Sequence, residues 1–184
     1  MLGARVAMGV LAVLALTAAI GARPAAAASA AEINREVDAA LAKLYADVPD
    51  ARALAQRARG VLVFPRVVKA GFMFGGQYGD GALRRGGRTV GYYNTVAASY
   101  GFQAGIQSFG YVLLFMSDSG LEYLDKTEGF EIGVGPSIVI LDAGKAKALT
   151  TTTAQHDIYG FIFGQQGLMA GMGLQGSKIS RMAR

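Results

Sequence analysis

Near the end of the chain, Gly171, Gly173 and Gly176 spell G-x-G-x-x-G, and Ser177-Lys178 follow directly. Glycines at that spacing can let a backbone cradle a pyrophosphate, and a lysine beside a glycine can reach a nucleotide phosphate. Both chemistries need a setting. The dinucleotide fingerprint needs a strand before it, a helix after it and an acidic residue about 20 positions on. Eight residues follow Gly176, and no acid follows Asp157. The phosphate-loop reading needs lysine before serine, and here Ser177 precedes Lys178. The segment therefore predicts a glycine-interrupted strand where backbones approach closely, and no nucleotide partner.

Other reactive groups are sparse. The chain has no Cys and one His, His156, so neither a thiol nucleophile nor a histidine metal cluster can be assembled. His156 lies in the polar run "TTTTAQHD" and reads as a solvated loop residue. Glu128 and Glu131 flank "GF" without the marks of an acid–base pair. The acids of "SDSGLEYLDKTEGFE" fall at offsets that do not match a calcium loop. The sequence predicts no enzyme, no catalytic residue, no metal and no cofactor.

Charge is the more informative chemistry. Residues 52–88 hold eight bases (Arg52, Arg57, Arg59, Arg66, Lys69, Arg84, Arg85 and Arg88) and one acid, Asp80. Residues 118–142 hold six acids and one base, Lys126. If these segments lie apart, the molecule is electrically two-sided. The basic segment is interleaved with Phe64, Phe72, Phe74, Tyr78, Tyr92 and Tyr93. Such a face could stack single-stranded bases, but the alternation places most of these aromatics in a core. An anionic membrane fits better, because each Lys or Arg near it contributes roughly 1 kcal/mol.

The elements that must position these groups follow from pattern. Residues 1–30 read as a signal peptide. Arg5 precedes an apolar run from Val6 to Ile20, and Ala26-Ala27-Ala28 and Ala28-Ser29-Ala30 both suit cleavage. Removing them would take away Arg5 and Arg23, leaving 16 bases against 13 acids. Residues 31–184 form one domain. With 52% hydrophobic residues, 26 Gly and 4 Pro, this composition suits a packed fold with many tight backbone approaches.

Ile33, Val37, Leu41 and Leu44 recur at helical spacing and predict a helix over 31–45, with Ser29 and Glu32 at capping-box spacing. Its apolar stripe faces a core or touches a membrane. A second helix is predicted over 49–59, capped by Asp47 and started by Pro49. Beyond Gly60 the pattern turns to strands. Breaks are expected at Gly75-Gly76, Gly79-Asp80-Gly81 and Gly86-Gly87, the last a hairpin turn. "YVLLFM" reads as a buried strand, "SDSGLEYLDKTEG" as a short helix and "GFEIGVGPSIVIL" as a strand region. "DAGKAKALT" reads as a short helix. A final strand pair is expected to turn at Gly164-Gln165-Gln166-Gly167. The fold class is α+β: two N-terminal helices, then a Gly-rich, mostly antiparallel curved sheet or barrel-like sandwich with short helices.

The blocks "RARGVLVFPRVVKAGFMFGGQYGDGALR", "TVAASYGFQAGIQSFGYVLLFMS", "GFEIGVGPSIVI" and "GLMAGMGLQGSKI" resemble the SYLF domain, also called the Ysc84-type lipid-binding domain. The resemblance spans about 31–179 and is greatest to exported bacterial members made of a signal sequence and this domain alone. It implies lipid binding. Eukaryotic relatives bind phosphoinositide membranes and some bundle actin, usually beside an SH3 or FYVE domain; neither companion is present, and actin is set aside.

The combined expectation is non-enzymatic binding of anionic phospholipid headgroups at an envelope membrane, with the protein exported to the periplasm or cell envelope. The predicted headgroup contacts are Arg57, Arg59, Arg66, Lys69, Arg84, Arg85 and Arg88. The competing reading is an envelope scaffold that binds a protein or glycan. Nucleotide and nucleic acid are not expected partners.

Overall fold

The computed structural model describes residues 28–126, 130–132, 135–142, 156–167 and 176–183. Helix α1 spans Ala30–Asp47 and α2 spans Pro49–Arg57. Strand β1 spans Gly60–Arg85 and β2 spans Arg88–Phe115. Helix α3 covers Asp118–Lys126, followed by β3 (Phe130–Glu131), β4 (Ile138–Asp142), β5 (Ile158–Gly167) and β6 (Lys178–Met182). The described strands form one sheet in the order β3-β6-β2-β5-β4, with β1 paired to β2. All pairs are antiparallel except β4 with β5. The α+β class stands, as one curled sheet.

Local chemistry explains the helices. The Ser29 side chain accepts from the Glu32 amide at 3.2 Å and starts α1, as the spacing predicts. Ile33, Val37 and Leu44 are buried, and Leu41 packs at the edge of the same cluster. The stripe is thus spent on the core rather than left for a membrane. Asp47 does not cap α2: Val48 occupies the cap position without a side-chain bond, and Asp47 pairs with Lys43 at 2.9 Å. A lysine one helical turn back competes for its carboxylate.

The sheet is built on one long hairpin. Its tip is Gly86-Gly87, with φ of 55° and 78°, which suits the primed turn that such a ribbon requires. The expected breaks at Gly75-Gly76 and Gly79-Asp80-Gly81 are absent: β1 runs straight through them. These glycines serve a different purpose, because the ribbon folds back on itself. A Cβ at Gly79 would lie 2.7 Å from Val67 Cγ2, and one at Gly81 would meet the Val63 carbonyl and lie 2.7 Å from the Phe64 ring. Two parts of one strand therefore touch through spaces that only glycine leaves open. Inside the fold, the Tyr111 hydroxyl donates to Thr95 Oγ1 at 2.8 Å, tying together two parts of β2 that are 16 residues apart. The ribbon bends around 72–74 and the facing 100–104.

This folding creates two cores. Val61, Val63, Val112, Leu114, Tyr159 and Phe161 pack under α1 and α2. Leu62, Phe64, Tyr111, Leu113, Phe115, Leu121 and Phe130 fill the inside of the curl, where α3 covers them. The first part of the hairpin is buried on both faces, so "VLVF" and "YVLLF" are continuously apolar rather than alternating.

At the C-terminal end, Gly164-Gln165-Gln166-Gly167 is not a turn. Strand β5 continues through it, and Ser108 and Gln107 pair with Gln166 and Gly167. Strand β6 then pairs with the other part of β2, through Tyr92–Val96, rather than with β5. The bend in β2 separates the two strands by giving each its own stretch of edge. Among the described residues no helix is long and apolar enough to cross a membrane. The predicted signal peptide through residue 27, most of "DAGKAKALT" and residues 168–175 lie outside the described residues.

Candidate lipid-facing surfaces

The Gly-rich segment of 171–178 comes first. Gly171 and Gly173 lie outside the described residues. Lys178 begins a strand, β6, so no helix N-terminus stands there to receive a phosphate. Ser177 is buried and accepts from Gln77 Nε2 at 2.9 Å. Its hydroxyl therefore serves the fold. His156 is exposed and rests edge-on against Tyr159, with ring centroids 5.9 Å apart.

The seven predicted bases do not form one patch. Arg84 is 14% exposed and donates to Asp38 at 2.6 Å and to the Asn34 carbonyl at 3.3 Å. It ties the hairpin tip to α1. Arg66 pairs with Glu36 at 3.2 Å, and Arg59 with Asp118 at 3.6 Å. The last contact joins the basic segment to the acidic one, so the two are not separate poles. Lys69 is half-buried and alternates to the inner side of β1. Arg57, Arg85 and Arg88 are exposed, the last two beside the Gly86-Gly87 tip.

A different surface stands out at the bend. Every second residue of β1 from Arg66 to Tyr78 is exposed: Arg66, Val68, Ala70, Phe72, Phe74, Gly76 and Tyr78. Phe72 is 75% and Phe74 69% exposed. On β2, Ile106 is 67% exposed opposite Ala70, and Val96 is partly exposed opposite Tyr78. Large apolar side chains grouped this way on a surface mark an interaction site. Bases flank the group. Arg66 opens the row, and Lys178 is exposed opposite Val96. Acids accompany them, because Glu36 pairs with Arg66 and Glu131 faces Lys178 across β6 and β3.

The expectation that most interleaved aromatics are core residues thus divides. Phe64 and Tyr93 are buried, Tyr92 is half-buried, and Phe72, Phe74 and Tyr78 face out. Val68, Phe72, Phe74, Ile106 and Lys178 were not legible as surface residues. Both parities of "VVKAGFMF" are apolar, so only the bend decides which one is covered.

Buried polar groups in the curl are structural. Burial raises the Tyr111 hydroxyl pKa above its ordinary value, and the bond to Thr95 partly offsets this. Tyr93 is raised by burial and by the Asp125 carboxylate, with Arg181 pulling the other way. Among the described residues no three His, Cys, Asp or Glu side chains converge as metal ligands.

The exposed apolar bend of the curled sheet marks an interaction surface. Residues 96–183 match the family described as Ysc84, Las17-binding protein actin regulator. This stretch of the chain is thus similar to the Ysc84, or SYLF, family, a family of binding domains with a lipid- or actin-binding role. The match begins within β2, at Val96, and runs through β6; α1, α2 and β1 precede it. No curated protein matches the chain.

Proposed function

We propose that this domain binds, without catalysis, to the headgroup region of anionic phospholipid membranes. The observation that carries this reading is the exposed apolar bend, Phe72, Phe74 and Ile106, with Arg66 and Lys178 on its flanks. Apolar side chains on a convex corner suit a fluid surface that can deform around them. Burying one Phe is worth roughly 1.5–3 kcal/mol. The flanking bases would rest at headgroup level, and Arg57, Arg85 and Arg88 would add longer-range attraction. Arg59 and Arg84 are engaged within the fold, and Lys69 on the inner side of the strand is placed for support rather than contact.

Co-sedimentation with neutral and anionic vesicles at low and high salt tests the proposal. Binding to anionic vesicles, partly retained at high salt through the apolar bend, is expected. Absence of binding to both vesicle types would overturn it.

The proposal includes export to the envelope. Of the two candidate cleavage sites, a cut after Ala28 keeps Ser29 and its bond to Glu32, whereas a cut after Ala30 loses them. N-terminal sequencing of the exported protein should therefore begin at Ser29. Recovery only inside the cell with residues 1–28 intact would remove export from the reading.

A further inference from the structure

We propose that the cleft between α1, α2 and the hairpin tip is a binding site for a small phosphate-bearing molecule, separate from the bend. The cleft holds about 430 Å³, within the range of small-ligand sites. Arg52 and Arg84 line it, Leu41 and Val61 supply apolar wall, and Gly86 and Gly87 stand at its edge. Asp38 also lines it, so two guanidinium groups meet one carboxylate and the balance is cationic. Exposed Arg85 and Arg88 adjoin the glycine turn and add to the same field.

Arg84 is held more firmly than an ordinary surface arginine. One of its terminal nitrogens is fixed by Asp38 and the Asn34 carbonyl. Asn34 is itself fixed, accepting from Thr89 at 2.7 Å and donating to the Tyr92 hydroxyl at 2.9 Å. Yet Arg84 Nε is buried and has no acceptor among the described residues. Buried donors left unpaired are rare and costly. An oxyanion entering beside this guanidinium would complete its fork after a small shift of the groups covering Nε. Arg52 would meet the anion from α2. Tetrahedral phosphate oxygens suit two arginines at an angle, and arginine binds them through paired N–H groups. Leu41, Ala55 and Val61 leave room beside the anion for an apolar substituent.

The two possible sources of that phosphate, free anion and lipid headgroup, can be separated. Arginine Nε–Hε NMR signals of the folded protein would be followed in titrations with inorganic phosphate and, separately, with dihexanoyl phosphatidic acid below its micelle concentration. Saturable shifts at Arg52 and Arg84 are expected. Tighter binding of the lipid would identify a headgroup with its chains on the apolar wall. Equal binding would identify free phosphate, and either result supports the site. Arg52→Gln, an exposed position, should weaken binding about tenfold without changing the fold. Arg84→Lys keeps the charge near Asp38 but removes Nε, and should weaken binding as much. Absence of a saturable shift with both probes, or equal shifts with chloride, would overturn the proposal. A Phe72→Ser/Phe74→Ser protein should bind phosphate unchanged, so failure at the vesicle surface and failure at the cleft remain distinguishable.

Discussion

The bend and the tip belong to the same two strands, yet they present opposite chemistry. At the tip, Arg84, Arg85 and Arg88 surround two glycines in a tight turn, and α1 and α2 lie alongside. At the bend, Phe72, Phe74 and Ile106 point outward. Gly81 lies against Val63 and Gly79 against Val67, so the tip returns toward the start of β1. The bend then stands about ten residues of strand away, on the order of 30 Å of chain. The difference teaches that the ribbon separates an apolar surface from a cationic one by folding. Neither surface requires a domain or loop of its own.

The strongest way to break this comparison is to stop the fold-back. Gly81→Ala would drive a methyl into the Val63 carbonyl and the Phe64 ring. We expect a loss of about 3 kcal/mol, at the upper end of overpacking costs, because backbone is the obstacle. Gly76→Ala is the control. Its nearest neighbour would be the Ala97 carbonyl at 3.8 Å, an ordinary contact. Urea unfolding of the two proteins should show a large drop in midpoint for the first and little change for the second. Equal midpoints would mean that the close approach at Gly81 is not what closes the curl.

The next effect in size concerns the bend itself. Phe72→Ser/Phe74→Ser should leave urea stability within about 0.5 kcal/mol, since both rings are exposed. Vesicle affinity should fall about a hundredfold or more, from the roughly 3 kcal/mol of apolar transfer that two rings contribute at the low end of that range. A protein that unfolds more readily but binds vesicles normally would reverse the assignment, making the rings structural and the bend idle.

These two tests also mark what the sequence could disclose. The helical stripe of α1, the Ser29 cap, the Gly86-Gly87 turn and the buried "YVLLF" strand were readable, because each is set by local spacing or turn chemistry. The bend was not. Glycines at 75, 76, 79 and 81 look like chain breaks in one dimension, and become close contacts only when distant parts of the ribbon meet. The same ambiguity hid the surface. "KAGFMF" offers apolar residues on both parities, so periodicity cannot show that Phe72 and Phe74 face water. Charge misled in another way: Arg59, Arg66 and Arg84 look like a basic run, but their partners Asp118, Glu36 and Asp38 come from other elements.

A smaller effect sharpens the view of what holds the folded ribbon together. Tyr111 is fully buried, and its folded-state pKa is raised. A raised pKa favours the protonated folded form. Stability from this group is therefore complete below the unfolded tyrosine value, near pH 10, and is lost as pH climbs through the higher folded value. Tyr111→Phe removes the bond to Thr95 and should cost about 1 kcal/mol at pH 7. It should also shift alkaline unfolding to higher pH, as followed by circular dichroism. An unchanged alkaline midpoint would assign that transition to Tyr93 or to other groups.

The smallest expected change belongs to the tip. Arg85 and Arg88 are exposed and can be neutralised without disturbing Arg84 and its bonds to α1. If the bend meets the membrane, these charges stand well beyond one Debye length from it, which is about 8 Å at physiological salt. Arg85→Gln/Arg88→Gln should then weaken anionic-vesicle binding by no more than about threefold at low salt, and not measurably at high salt. A loss comparable to that of the double Phe variant would show that the tip lies against the bilayer. The protein would then rest on its cationic end, and the aromatic bend would point toward a different partner.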